Sequence, residues 1–124
     1  MLLFLDTEFT DFTERELISI GMVSEDGQHE LYLEIQDFDR DKCNSFVRQV
    51  VWTELGQIHG TTIKRSEVAE HLRRWFVTLP RSVEIACDSQ YDRQGHSMLS
   101  HASLHSASNW SGDQPSCSRA ALIL

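Results

Sequence analysis

The chain has 124 residues, 40% hydrophobic and 24% charged, with 19 acidic against 11 basic side chains and a formal net charge of −8. That length suits one small domain with its own core. That charge excludes passive, charge-driven binding to nucleic acid or to an anionic membrane, but not a nucleic-acid enzyme whose bound cations reverse the local field.

Residues 2–6, beginning "LLFLD", read as a buried-type strand that ends beside two carboxylates, Asp6 and Glu8. Residues 17–24 ("LISIGMVS") predict a second strand, and 29–35 ("HELYLEI") a third, with Leu31, Leu33 and Ile35 on one face. The Asp26-Gly27 pair between them predicts a hairpin, so these two strands should run antiparallel. Phe46, Val47, Val50 and Val51 are spaced as one helical face, which predicts a helix over 44–55 that stops at Gly56. A clearer helix follows, with Ser66 as its cap, Glu67 and Glu70 in its first turns, and Val68, Leu72, Trp75, Phe76 and Leu79 as its buried stripe. Pro80 ends it, and 83–87 ("VEIAC") returns as a fourth strand running into Asp88 and Asp92. Strands in a meander, then helices, then a returning strand predict an α/β fold with a mixed sheet and flanking helices.

Composition changes abruptly after Gln94. Residues 1–94 hold 18 acidic and 10 basic residues, whereas 95–124 hold only Asp113 and Arg119, with eight serines among thirty positions. We therefore divide the chain into a domain over 1–94 and a Ser/His-rich tail over 95–124, which reads as irregular until its last few residues. Cys43, Cys87 and Cys117 are odd in number and lack metal-ligand spacing, which predicts reduced thiols in a cytoplasmic protein. The start carries no basic leader and no run is long enough to span a bilayer, so no membrane partner is expected.

Asp6 and Glu8 are two residues apart, and side chains at i and i+2 of a strand share a face. Two carboxylates there repel unless a cation lies between them. A solvated acidic strand end and a divalent metal site both fit the pair taken alone. Carboxylates from separate strands meeting at one rim would suit Mg²⁺ or Mn²⁺, which prefer oxygen ligands. Asp92 alone reads equally as a helix N-cap, and His29, His59 and His71 read as surface residues.

Taken together, "FLDTEFTDF", "LISIGMVSEDGQHELYLEI" and "VEIACDSQYD" resemble the DEDD superfamily of 3′–5′ exonucleases on the ribonuclease H-like fold. More narrowly, they resemble the small bacterial exoribonucleases of the DEDDh type, related to ribonuclease T. The likeness covers roughly residues 2–94. It implies a Mg²⁺ or Mn²⁺ site, two-metal in the family, held by Asp6, Glu8 and Asp92 as metal and catalytic residues. It also implies that Thr7 and Phe9 bind the terminal nucleotide; Asp88 ranks behind Asp92 as the second-motif carboxylate and is grouped with the substrate-binding residues. The implied substrate is the 3′ end of single-stranded RNA or DNA, the products are nucleoside monophosphates, and the implied assembly is a homodimer. The resemblance departs at the third motif, a His general base followed five residues later by Asp. The residues five positions after His96, His101 and His105 are His101, Ser106 and Trp110, none of them an Asp; a rival reading, in which the tail is a natural divergent segment, has His101 or His105 serve as the base. The C-terminal helices of the family are therefore expected to be absent or replaced, as by a shifted reading frame. Two alternatives follow: an inactive remnant that binds metal or RNA ends, or a protein-interaction module.

Overall fold

A computed structural model describes residues 1–80 and 82–87, together with the backbone of two strands in the tail. Strands β1 (Leu2–Phe9), β2 (Leu17–Ser24) and β3 (Glu30–Ile35) form an antiparallel meander. A 3₁₀ turn, Arg40–Lys42, leads to a π-helical turn, Val47–Val51, that continues into a short helix α1 (Trp52–Glu54). The two-residue strand β4 (Thr62–Ile63) pairs parallel with β3, and α2 (Val68–Phe76) precedes β5 (Ser82–Cys87). β5 lies parallel to β1, and the tail strands β6 (His105–Ala107) and β7 (Ser118–Ile123) extend the sheet beyond it. The order across the seven-stranded sheet is β4-β3-β2-β1-β5-β7-β6, so the fold is α/β with a mixed sheet. The two tail strands lie within 95–124, where the sequence suggested irregular chain up to the last few residues.

The meander forms where the sequence places it, and the reason is local. Gly27 has φ +70° in the hairpin, a value that costs glycine little. Asp26 accepts from the Ser24 hydroxyl at 2.6 Å and from the Gln28 N–H at 3.0 Å, which closes the turn and holds its carboxyl below the usual range.

Three expectations need correction. β1 does not stop at Asp6 but runs on to Phe9, because its partner β2 offers ladder positions that far. The ladder to β2 continues to Phe9, slipping register only between Glu8 and Phe9, so both carboxylates lie within the strand rather than at its end. The helix expected over 44–55 is π-helical at its centre and buries Val47 and Val51, leaving Phe46 and Val50 exposed. The helix start is not capped by Ser66. The chain enters through a 3₁₀ turn, Arg65–Glu67, where Glu67 accepts from the Lys64 N–H at 2.8 Å and Asp37 accepts from the Arg65 N–H at 2.7 Å. These carboxylates satisfy amide donors that the helix itself leaves orphaned.

The core lies on one face of the sheet. Leu3 and Leu5 of β1, Ile20 of β2, Leu33 of β3 and Ile85 of β5 form a single buried cluster with Val47, Val51, Val68, Leu72 and Phe76 of the helical segments. The alternate residues of β1 (Phe4, Asp6 and Glu8) turn to the opposite face, and that face carries the candidate site. Among the described residues no helix is long and apolar enough to cross a membrane.

Candidate functional site

Strand register defines the opposite face row by row. Asp6 is opposite Gly21, which is opposite Tyr32. One row on, Glu8 is opposite Ser19, which is opposite Glu34. On the other side of Asp6, Ala86, Phe4, Val23 and Glu30 make a third row. Cross-strand neighbours on one face lie about 5 Å apart, so Asp6 and Glu8 share a short polar strip on a central strand. Asp6 is exposed and Glu8 half-buried.

Gly21 leaves room beside Asp6. A Cβ built there would touch only the Asp6 carbonyl and the Tyr32 ring, each at 3.9 Å, which is ordinary contact distance. The glycine thus leaves a slot between the Asp6 backbone and the Tyr32 ring. A groove of about 710 Å³ runs through this slot between Phe4 and Val23 on the sheet and Ile58 on the loop after α1. That volume falls in the range usual for ligand sites.

The strip's far end is tied down by a group whose role the sequence did not reveal. Glu34 is 4% exposed. Its carboxylate accepts the Gly56 N–H at 3.1 and 3.0 Å through its two oxygens and the Tyr32 hydroxyl at 3.0 Å. Gly56 adopts φ +78°, the left-handed conformation that lets the chain turn its N–H toward the sheet. The loop carrying Ile58 and Thr61 is therefore fastened across β3 by a buried carboxylate. The strict alternation of "HELYLEI" assigns Tyr32 and Glu34 to the face opposite Leu33, and they are there. Only the Gly56 contact explains why that position is buried, and it comes from 22 residues away.

Burial, the hydrogen bond to Glu34 and the Glu34 charge push the Tyr32 hydroxyl up from its ordinary 10.0 to about 12. The neutral phenol contributes stability that is fully present below pH 10 and is lost as pH rises through about 12. Phenolate absorbance should therefore show a late tyrosine titration near pH 12 that vanishes in Tyr32→Phe. A titration of the variant that keeps the late phase would contradict this assignment.

The remaining expected site residues fall as follows. Thr7 lies on the core face and is buried, while Phe9 is half-buried against the core just past the register slip. His105 opens β6, opposite Ile123 in the pairing. Asp88, Asp92 and His101 lie outside the described residues. Among the described residues, no three or more His, Cys, Asp or Glu side chains come together as a metal cluster. Asp6 and Glu8 thus offer two hard oxygen donors on one face, the donor type that Mg²⁺ and Mn²⁺ prefer, but not a full shell. The sequence matches no protein-family model and no curated protein.

Proposed function

We infer that this chain is a metal-dependent 3′–5′ exonuclease of the DEDDh type, acting on RNA, built on a ribonuclease H-like fold. The observation that carries the reading is the placing of Asp6 and Glu8 on one open face of the central strand, with β5 parallel beside it. Cys87, the last residue of β5, pairs with Leu5, the neighbour of Asp6, and the chain then runs directly into the segment bearing Asp88 and Asp92. The mixed sheet, with an antiparallel meander and a parallel fourth strand, is compatible with that fold.

On this reading Asp6, Glu8 and Asp92 would hold Mg²⁺ or Mn²⁺, and the ion would supply a water of lowered pKa and stabilisation of charge on the leaving oxygen. Of the residues that the resemblance implies for the terminal nucleotide, Thr7, buried on the core face, would act through its backbone, and Phe9, half-buried against the core, only through the part of its ring left accessible. Water oxygen forms the new bond to phosphorus and the bond to the 3′ oxygen of the preceding nucleotide breaks. The water proton passes to a base, for which His101 is the candidate, since the register puts His105 three strands from β1 and at the other end of the sheet; the leaving 3′ oxygen takes up a proton from solvent, and the products are a nucleoside 5′-monophosphate and a shortened chain with a 3′ hydroxyl.

The test is digestion of 5′-labelled single-stranded RNA, beside the same sequence as DNA, with Mg²⁺, with Mn²⁺ and with chelator. A ladder that shortens from the 3′ end, requires metal and favours RNA supports the reading. An unchanged substrate under all metal conditions overturns catalysis by this chain. The exposed row of Phe4 and Val23 beside the strip favours a second reading, that the sheet face binds protein.

A further inference from the structure

We propose that residues 56–61, the loop between α1 and β4, form a strap that swings down and covers the groove on the open face of the sheet. One residue holds the loop at both ends. The buried Glu34 carboxylate accepts the Gly56 N–H through its two oxygens, at 3.1 and 3.0 Å, and the Glu34 N–H donates to the Thr61 carbonyl at 2.9 Å. Between these two points the chain is tied only to near neighbours in sequence. Gln57 Nε2 donates to the Thr53 carbonyl at 3.2 Å, and Thr61 Oγ1 donates to the Ile58 carbonyl at 2.8 Å. Among the described residues, no hydrogen bond joins residues 57–60 to the sheet.

Each end also carries a hinge. Gly56 and Gly60 both have φ +78°, and a Cβ on either would meet nothing within 4 Å. Glycine exchanges left- and right-handed backbone at little cost, and the open space around both leaves the rotation unobstructed. A short loop whose ends lie together, pivoting on two such residues, moves as a unit.

Burial of apolar surface favours closure, and the tether chooses what closes. Ile58, on the groove wall, is 53% exposed, while the floor offers Val23 and Phe4, 39% and 47% exposed. Val23 is opposite Glu30 of β3, one strand in from the strand that clasps the strap, and Phe4 is opposite Val23. Lowering Ile58 onto Val23 takes apolar surface of both from water, and the edge of the Phe4 ring follows. A side chain already held at the wall meets that floor at an effective concentration that a free partner does not match. Glu34 stays in place throughout, braced by the Tyr32 hydroxyl, which donates to it at 3.0 Å. The motion needs neither metal nor RNA, so the proposal goes beyond the exonuclease reading and does not depend on it. On that reading, a lowered strap narrows the approach to the strip of Asp6 and Glu8.

The experiment uses the full chain, labelled with ¹³C in the Ile, Leu and Val methyls and with ¹⁵N in the amides. Relaxation dispersion is expected to show one shared μs–ms process at the Ile58 and Val23 methyls and the amides of 57–60, with Leu33 and Ile35 in the core quiet. Ile58→Gln, at an exposed position, should remove the exchange at Val23 and leave the thermal melt unchanged. Glu34→Gln keeps the shape of the clasp without its charge, and should speed solvent exchange of the Gly56 amide about tenfold or more. Flat dispersion at Ile58 and Val23, exchange at Val23 that survives Ile58→Gln, or a Gly56 amide indifferent to Glu34→Gln would overturn the proposal. Exchange at Val23 that grows with protein concentration would assign the floor to a second copy of the chain and overturn it too.

Discussion

An Asp6→Asn chain is expected to release nucleotides from an RNA 3′ end at least about 10²–10³-fold more slowly than the parent in Mg²⁺ or Mn²⁺. Metal stabilisation of the transition state is worth several kcal/mol, and each ~1.4 kcal/mol is tenfold in rate. The substitution keeps the shape of the side chain and removes its charge, so the loss falls on cation binding. Asp6 is exposed on the open face and Gly21 leaves space beside it, so the fold has little to lose. A change in thermal stability within about 0.5 kcal/mol is expected. Single-turnover assays across a Mn²⁺ titration provide the check. A rate equal to the parent's at every metal concentration would remove Asp6 from the site, and a matching loss of rate and melting temperature would mean that the residue is structural.

Phe76→Ala should cost about 3–5 kcal/mol, the usual loss when a buried aromatic is cut back to a methyl group. Phe76 is fully buried (0% exposed), the largest such side chain among the described residues, and meets the Trp75 ring edge-on at 5.2 Å between centroids. It joins α2 to the sheet, so no neighbour can collapse into the space without moving the helix. For a domain whose whole stability is about 5–15 kcal/mol, that loss removes a large share of it. Urea unfolding followed by circular dichroism measures it. Phe76→Leu is the control, expected to keep most of the stability because it leaves a smaller cavity. Equal midpoints for Phe76→Ala and the parent would mean that α2 does not close the core.

The apolar half of this architecture was legible because periodicity is a local signal. Leu31, Leu33 and Ile35 alternate as the hairpin requires, and Val68, Leu72 and Phe76 recur at helical spacing; the structure buries Leu33, Ile35 and all three helix residues, with Leu31 packed partly buried against the core. The misreadings have local causes too. Ser66 is a good cap by type, but Asp37 and Glu67 were better placed to receive the helix's free N–H groups, and Asp37 acts from 28 residues away. The strand end beside Asp6 was misplaced because the polar run after Leu5 looks like a loop, whereas the β2 ladder holds it extended to Phe9. In the site, the shared face of Asp6 and Glu8 follows from their spacing alone. The Gly21 slot and the Glu34 anchor do not, since each depends on which strand lies opposite and on a loop distant in sequence.

The pairing of β1 with β5 sets a clock on the nascent chain. β1 finds its antiparallel neighbour as soon as residue 24 is made, but its parallel neighbour is Ser82–Cys87, about eighty positions away. A growing chain therefore carries the meander with one flank of β1 bare while α2 is still being synthesised. Closing so long a loop is slow compared with forming the hairpin. During that interval the unpaired backbone of Leu2–Leu5 is a template for any other extended segment. Crowded ribosomes translating one message would bring several such flanks together, so the yield of native protein should depend on translation speed through residues 25–87 more than on the stability of the finished fold.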